Sequence, residues 1–245
     1  SRLRHINLEH GSLEDGPVRD DERSREAGPH ARVRIERGMG LKEGSEDPGV
    51  RLPVLATSQE GYRTLCSLLS NHFLMHPGRR NAEFGLDEIA KFVQGSGDLW
   101  ALTGTVRGPL WRALRSHGPK GAREVLEQLK ATFGNDRVAV EMNLQPHTPK
   151  GDMDQLALLA KEGGVPLVAT GAVHSATPEK SQLGDVLAAT RLGMSLDEVE
   201  PHLPAFRSFL KTPEEMQELY HRYPEAIDNA LRIGQECAFD LELIE

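Results

Sequence analysis

Between Leu52 and Thr170 the sequence alternates strand-length apolar runs with segments of helical period, and that alternation restricts the chain to an α/β fold. The runs Leu52-Pro-Val-Leu-Ala56, Asp98-Leu-Trp-Ala-Leu-Thr103, Arg137-Val-Ala-Val-Glu-Met142 and Pro166-Leu-Val-Ala-Thr170 read as buried strands. Helices are predicted over residues 59–72, 86–93, 109–117 and 119–133, with a further one starting at a cap on Asp152 or Asp154 and running to Lys161. In the first of these Leu65, Leu68, Leu69 and His72 share one face. Gly118, Gly134-Asn135 and Gly163-Gly164 supply the stops. Strand, helix and strand at this spacing predict parallel pairing with right-handed crossovers.

The final third turns helical, with segments expected over residues 178–192, 195–202, 212–221 and 224–238. Thr212-Pro-Glu-Glu215 carries both an N1 proline and the capping-box pattern. Residues 1–50 are rich in Arg, Glu, Asp and Gly and hold no sustained apolar period, so they read as a loosely attached segment. Arg32-Val-Arg-Ile-Glu36 is the one strand-like alternation there, and Ser45-Glu-Asp-Pro-Gly49 is a turn. The expected organisation is a degenerate N-terminal part over residues 1–50, an α/β core over 51–210 and a helical extension over 211–245.

With 245 residues and a formal net charge of -8, the chain can bury a sizeable core but presents no large nucleic-acid-gripping face. Cys66 and Cys237 are too few for a disulfide scaffold or a zinc finger, and they read as buried thiols in a reducing compartment. No apolar run approaches a membrane span, and Ser1-Arg-Leu-Arg-His5 lacks the apolar core of a signal peptide, so a soluble, cytoplasmic protein is expected. The start without methionine and the stop just after a helical pattern read as an excised piece.

His174, just past the fourth strand, is the best single candidate for chemistry, because strand ends are where α/β folds place ligands and catalytic groups. A histidine there serves either as a hydrogen-bonded structural residue or as a metal ligand. A D-x-H pair would supply two ligands from one strand end, but the tripeptide here is Ala172-Val-His174, which lacks the carboxylate. His72 and His76 share a helical spacing but have no H-E-x-x-H glutamate, and they read as solvated. His147 lies in a proline-flanked loop, and His5 and His10 lie in the tail. Glu141 either faces a cleft or is a terminal charge on its strand. Arg107, Arg112 and Arg115 on one side of a helix either meet phosphate or form a solvated face. No Walker loop, dinucleotide fingerprint, Ser-His-Asp arrangement or polymerase carboxylate pair is present.

Five stretches nonetheless carry a resemblance: LPVLATSQEGYRTLCSLLS at 52–70, DLWALTGTVRGPL at 98–110, FGNDRVAVEM at 133–142, LALLAKEGGVPLVATGAVHSATPEKSQLGDVLAATRLGMSLDE at 156–198, and FLKTPEEMQELYHRYPEAIDNALRIGQECAFDLELI at 209–244. In order and content they resemble the PHP (polymerase and histidinol phosphatase) domain of bacterial C-family DNA polymerase alpha subunits, most closely the error-prone, damage-associated branch. The resemblance implies a distorted (βα)7 barrel, here incomplete, with the palm, thumb and fingers of a polymerase beyond Glu245 and DNA met only through that larger protein. Full-site members bind up to three metal ions and are associated with 3'-5' exonuclease proofreading. Others have lost the metals and serve as a structural platform.

Carried over residue by residue, the resemblance implies that this site is depleted. Where the family's HL-x-VLA strand has a histidine ligand, this chain has Arg51. Thr105 stands where a cysteine often ligates, and the family's NDVH becomes Gly171-Ala-Val-His174, which keeps the histidine alone. Ser12-Leu-Glu-Asp-Gly16 resembles the family's first turn, but Ile6 and Leu8 replace its paired histidines. The T-D-H strand has no counterpart before residue 50, and Glu36 is only a loose match to the next acidic ligand. The expectation is a metal-depleted platform in which His174 is a vestigial ligand, with no cofactor or at most residual Zn, Mn or Mg. The competing expectation is a divalent-metal phosphoesterase or exonuclease.

Overall fold

Pro53 divides the first expected strand in two. The structure, a computed structural model, describes residues 33–35, 50–75, 84–93, 96–144, 150–173, 175–199 and 209–240. In it, the run at 52–56 contributes to β2 (Val50–Leu52) and β3 (Val54–Ala56), which belong to different sheets. Proline has no N–H to give to a ladder, so a strand is readily interrupted there; the Pro53 carbonyl still accepts the Leu102 N–H at 2.9 Å. β2 pairs in parallel with β1 (Val33–Ile35), placing Arg34 opposite Arg51. β3 opens a four-stranded sheet of order β3-β4-β5-β6, with β4 at Leu99–Leu102, β5 at Val138–Met142 and β6 at Leu167–Ala169.

The parallel expectation holds for β4-β5 and β5-β6 and fails for β3-β4, which is antiparallel with Leu55 opposite Trp100. The connections explain the difference. α3 (Pro109–Phe133) and α4 (Lys150–Gly163) are single crossovers that carry the chain back to the end from which the previous strand set out. Between β3 and β4 lie two helices, α1 (Gln59–Met75) and α2 (Leu86–Val93), which pack on each other. An out-and-back pair returns the chain to where β3 ended, so β4 runs the other way. Thr57 N–H donates to the Asp98 carbonyl at 2.9 Å and Ser58 Oγ to Asp98 Oδ1 at 2.9 Å, pinning that meeting point.

All four residues of β4 and all five of β5 are buried, as expected for central strands covered on both faces. α1 turns Gly61, Leu65, Leu68 and His72 inward. α3 is broken at Gly118 (φ 67°), just before Pro119, so the two helices read from the sequence adjoin end to end. α4 begins at Lys150, which puts Asp152 in its first turn rather than at its cap. Asp152 instead meets Arg115 at 3.4 Å, and Asp154 accepts from Arg222 at 2.9 Å and from the Tyr223 hydroxyl.

α5 (Pro178–Leu192), α6 (Leu196–Val199), α7 (Pro213–Leu219) and α8 (Pro224–Glu236) follow. The Thr212 capping box forms as the sequence predicts, and Ser195 and Glu198 form a second reciprocal cap. α8 lies along β6, and Tyr220, Tyr223 and Ala226 join the main apolar cluster. Ile233 packs in a smaller cluster with Trp100, Leu102, Ala139 and Val168. The C-terminal helices therefore complete the interior of the sheet.

Glu236, the last residue of α8, fastens this arrangement. Its Oε2 accepts from the Trp100 indole at 2.8 Å and from Arg137 at 2.8 Å, while Oε1 accepts from Arg232 at 2.9 Å. Both guanidiniums also stand over the Trp100 ring, at 5.5 Å and 5.4 Å from its centroid. Burial pushes the Glu236 carboxyl up, but the Trp100 and Arg137 hydrogen bonds, with the charges of Arg232 and Arg137, hold it below the usual carboxylate range. A depressed folded pKa stabilises above the unfolded value and is lost as pH falls through the folded one. Glu236→Ala leaves a buried indole N–H without its acceptor, and a loss of about 1–3 kcal/mol is expected in urea denaturation at neutral pH. Glu236→Gln, which keeps an acceptor, should lose less.

Candidate functional site

Because β4, β5 and β6 are parallel, their carboxyl ends lie along one edge of the sheet, where α/β folds bind ligands. The turn after β4 is held tightly to β2. Arg51 N–H donates to the Arg107 carbonyl at 3.0 Å, Gly108 N–H donates to the Thr105 carbonyl at 2.7 Å, and Gly104 adopts φ 76° beside the Arg51 carbonyl. The structure thus brings Arg51 and the Thr105 turn together. His174 lies outside the described residues; the Gly171-Ala-Val173 segment leading to it leaves the end of β6, with Ala172 in the left-handed region at φ 42°.

Between these two flanks the strand ends carry a buried polar network. Thr103 Oγ1 accepts the Glu141 N–H at 2.9 Å, and Glu141 Oε1 accepts the Thr170 hydroxyl at 2.6 Å. Asn143 Nδ2 donates to the Thr170 carbonyl at 2.9 Å. From the α7–α8 junction, Tyr220 reaches the same carbonyl at 3.0 Å and the Met142 carbonyl at 2.9 Å, and its oxygen accepts the Leu144 N–H at 3.0 Å. Burial pushes the Tyr220 phenol up to about 12; the Leu144 hydrogen bond opposes this and the Glu141 charge adds to it. The ring is fully buried. A side chain from the C-terminal helices fills the edge where a ligand would enter.

The family to which the sequence points implies metal ions, and the donors at the strand ends, among the described residues, do not make a metal-binding group. Among the described residues no group of three or more His, Cys, Asp or Glu side chains is close enough to hold a metal ion. Glu141 is the one carboxylate of the network, and the others are hydroxyl, amide and phenol groups. Such a set suits a hydrogen-bonded polar interior better than a dication that needs several charged or imidazole ligands.

Several sequence expectations are corrected. His72, read as solvated, is buried, with its ring centroid 4.6 Å from that of Phe84 and its Nδ1 3.7 Å from Glu88; it occupies the inward α1 face with Leu65 and Leu68. Glu141 is neither cleft-facing nor a solvated terminus but buried in the network. Arg107 lies in the turn before α3, so it does not share a helix face with Arg112 and Arg115, and Arg115 pairs with Asp152 in solvent. Cys66 and Cys237 are half-buried, and burial, then the Glu236 charge, raises the Cys237 thiol to about 11. His5, His10, Glu36, His76 and His147 lie outside the described residues. Tyr220 escaped sequence reasoning because a tyrosine at a helix end carries no local sign of partners 50 and 78 positions away.

No described helix is long and apolar enough to cross a membrane. Residues 21–145 match the model of the PHP domain family. The chain is 35% identical over 206 residues to the error-prone DNA polymerase of Mycobacterium tuberculosis, covering 82% of this chain and 18% of that protein. With the error-prone DNA polymerase of Cutibacterium acnes it is 34% identical over 237 residues, covering 94% of this chain and 20% of the relative. With the DNA polymerase III subunit alpha of Borreliella burgdorferi it is 27% identical over 255 residues, covering 97% and 21%. The chain therefore spans about a fifth of the length of these relatives. The mixed sheet with its helical cover and the family match over half the sequence lead to one assignment: this chain belongs to the PHP domain family.

Proposed function

We propose that the chain is the PHP region of an error-prone DNA polymerase alpha subunit and acts in replication and repair synthesis through that larger protein. The observation that carries this is the similarity to error-prone polymerases across 82–94% of the chain. In this reading residues 1–50 are the degenerate first units of a distorted (βα)7 barrel, 51–210 are its core, and 211–245 lead toward the palm. Palm, thumb and fingers are its partners, DNA is met through the whole protein, and the setting is the cytoplasm.

We further propose that the region is a metal-depleted platform rather than a nuclease. The reading is supported by Arg51, whose cation repels a metal ion, by Thr105 in place of a thiolate, and by the engagement of Glu141 with Thr170 at the strand ends. His174 is then a vestigial ligand position. EDTA should leave the melting temperature of the purified protein unchanged within about 1 °C, because only ligands that bind the folded state stabilise it by mass action. Two or three tightly held Zn or Mn ions per chain in elemental analysis, or metal-dependent release of mononucleotides abolished by His174→Ala, would overturn the platform reading. Absence of primer extension by the parent protein would overturn the polymerase assignment itself.

A further inference from the structure

α5 is amphipathic in the wrong sense for a solitary surface helix. Leu183, Val186 and Leu187 follow the i, i+3, i+4 spacing of a single face, yet Leu183 and Leu187 are 60% and 57% exposed. Among the α5 side chains that the structure describes, the buried ones are the small Ser181 and Ala189. Its main packing partner is α6, reached through the left-handed Gly193 cap. The apolar surface continues there through the exposed Met194 and Leu196. At the foot of the helix Leu210, the most exposed of the set, donates its N–H to the Ser175 carbonyl at 3.0 Å. An exposed apolar stripe of this extent, with the exposed polar residues Gln182, Asp197 and Glu198 next to Leu183 and Leu196 along the chain, has the make-up of an interface core with a polar rim.

We infer that the α5–α6 face is the docking seat for a further domain of the same polypeptide, one presenting an apolar patch with basic side chains around it. The inference rests on the polymerase reading above and adds the surface through which the platform is joined. Two observations select this occupant. The relatives are about five times longer than the matched segment, so a chain of that kind has a large covalently tethered surface available, at an effective concentration that no free partner matches. A second copy of this chain is disfavoured because each carries a formal net charge of -8 and the exposed acidic residues Asp197 and Glu198 follow Leu196 along the chain.

Hydrogen exchange of residues 178–192 in the full-length parent and in the 245-residue chain tests this without any substitution. Protection at least about tenfold greater in the parent is expected, and equal exchange in the two overturns the inference. Leu187→Asp supplies a second test. It should lower the thermal-inactivation midpoint of the parent's primer extension by several degrees, whereas Leu231→Asp, on an exposed part of α8, should not. An unaltered midpoint for Leu187→Asp counts against the seat. Sedimentation of the 245-residue chain should show a monomer; a dimer that Leu187→Asp dissociates would make a second copy the occupant and overturn the inference. If the parent extends no primer, the polymerase reading fails whatever α5 shows. If it extends primers while α5 exchanges freely, the docking seat alone fails.

Discussion

Tyr220→Phe lowers the unfolding free energy by about 2 kcal/mol, and Tyr220→Ala by about 4–5 kcal/mol, when measured by urea denaturation at neutral pH. The first figure is not larger because the two carbonyls that the hydroxyl meets have other donors. The Met142 carbonyl also accepts the Thr170 N–H at 3.0 Å, and the Thr170 carbonyl also accepts from Asn143. Only the Leu144 N–H loses a partner that nothing else is seen to replace. Tyr220→Ala adds the cavity left by a fully buried ring between the sheet and the C-terminal helices. For a domain of this size each kcal/mol corresponds to about 2–4 °C in melting temperature. The same hydroxyl sets an alkaline limit. Its folded pKa, near 12, exceeds the ordinary phenol value of 10.0, so the neutral phenol's contribution is complete below pH 10 and is lost as pH rises toward 12. Tyr220→Phe should therefore flatten the stability decline between those pH values. A Tyr220→Phe protein as stable as the parent sequence, with the same alkaline profile, would remove the phenol from its assigned place.

The turn after β4 carries the other large effect. A Cβ on Gly108 would sit 2.1 Å from the Thr103 carbonyl oxygen and 2.6 Å from Gly104 Cα. On Gly104, at φ 76°, it would sit 2.6 Å from the Arg51 carbonyl oxygen and 2.7 Å from Gly108 Cα. These obstacles are backbone atoms, which cannot swing aside as a flexible side chain can. Gly104→Ala combines such a clash with the left-handed penalty of an L residue, so a loss of about 3–5 kcal/mol is expected, with Gly108→Ala close behind. Gly97 provides the control: it has φ 63° but nothing within 4 Å of an added Cβ. Gly97→Ala should cost only about 1–2 kcal/mol. Equal losses at Gly97 and Gly104 would mean that the close approach of β2 to the turn does not hold.

The elements themselves were largely legible, and for local reasons. The α3 break at Gly118-Pro119, the Thr212 capping box, the all-apolar β4 and the mainly apolar β5 each depend on residues within a few positions of one another. Legibility ended where direction depended on the number of turns between strands. Both helices between β3 and β4 were legible, but not that together they return the chain to the end of β3 and reverse the pairing. It ended again at burial, since the spacing that places His72 inward on α1 does not reveal that Phe84 covers it.

The candidate site divides the same way. Arg51 and Ala172 offer no donor by chemistry alone, since no packing can lend a guanidinium or a methyl group the lone pair a dication needs, and Thr105 brings a neutral hydroxyl where the resemblance expects a thiolate. The sequence by itself therefore determined the α/β class and the family resemblance, both properties of residue identity and short spacing. Only the tertiary structure decided that the strand ends are occupied by Thr103, Glu141, Asn143 and Thr170 in mutual hydrogen bonds, sealed by a tyrosine from the last helices. Those partners lie 27 to 78 positions apart along the chain, and nothing local fixes such distances before the sheet assembles.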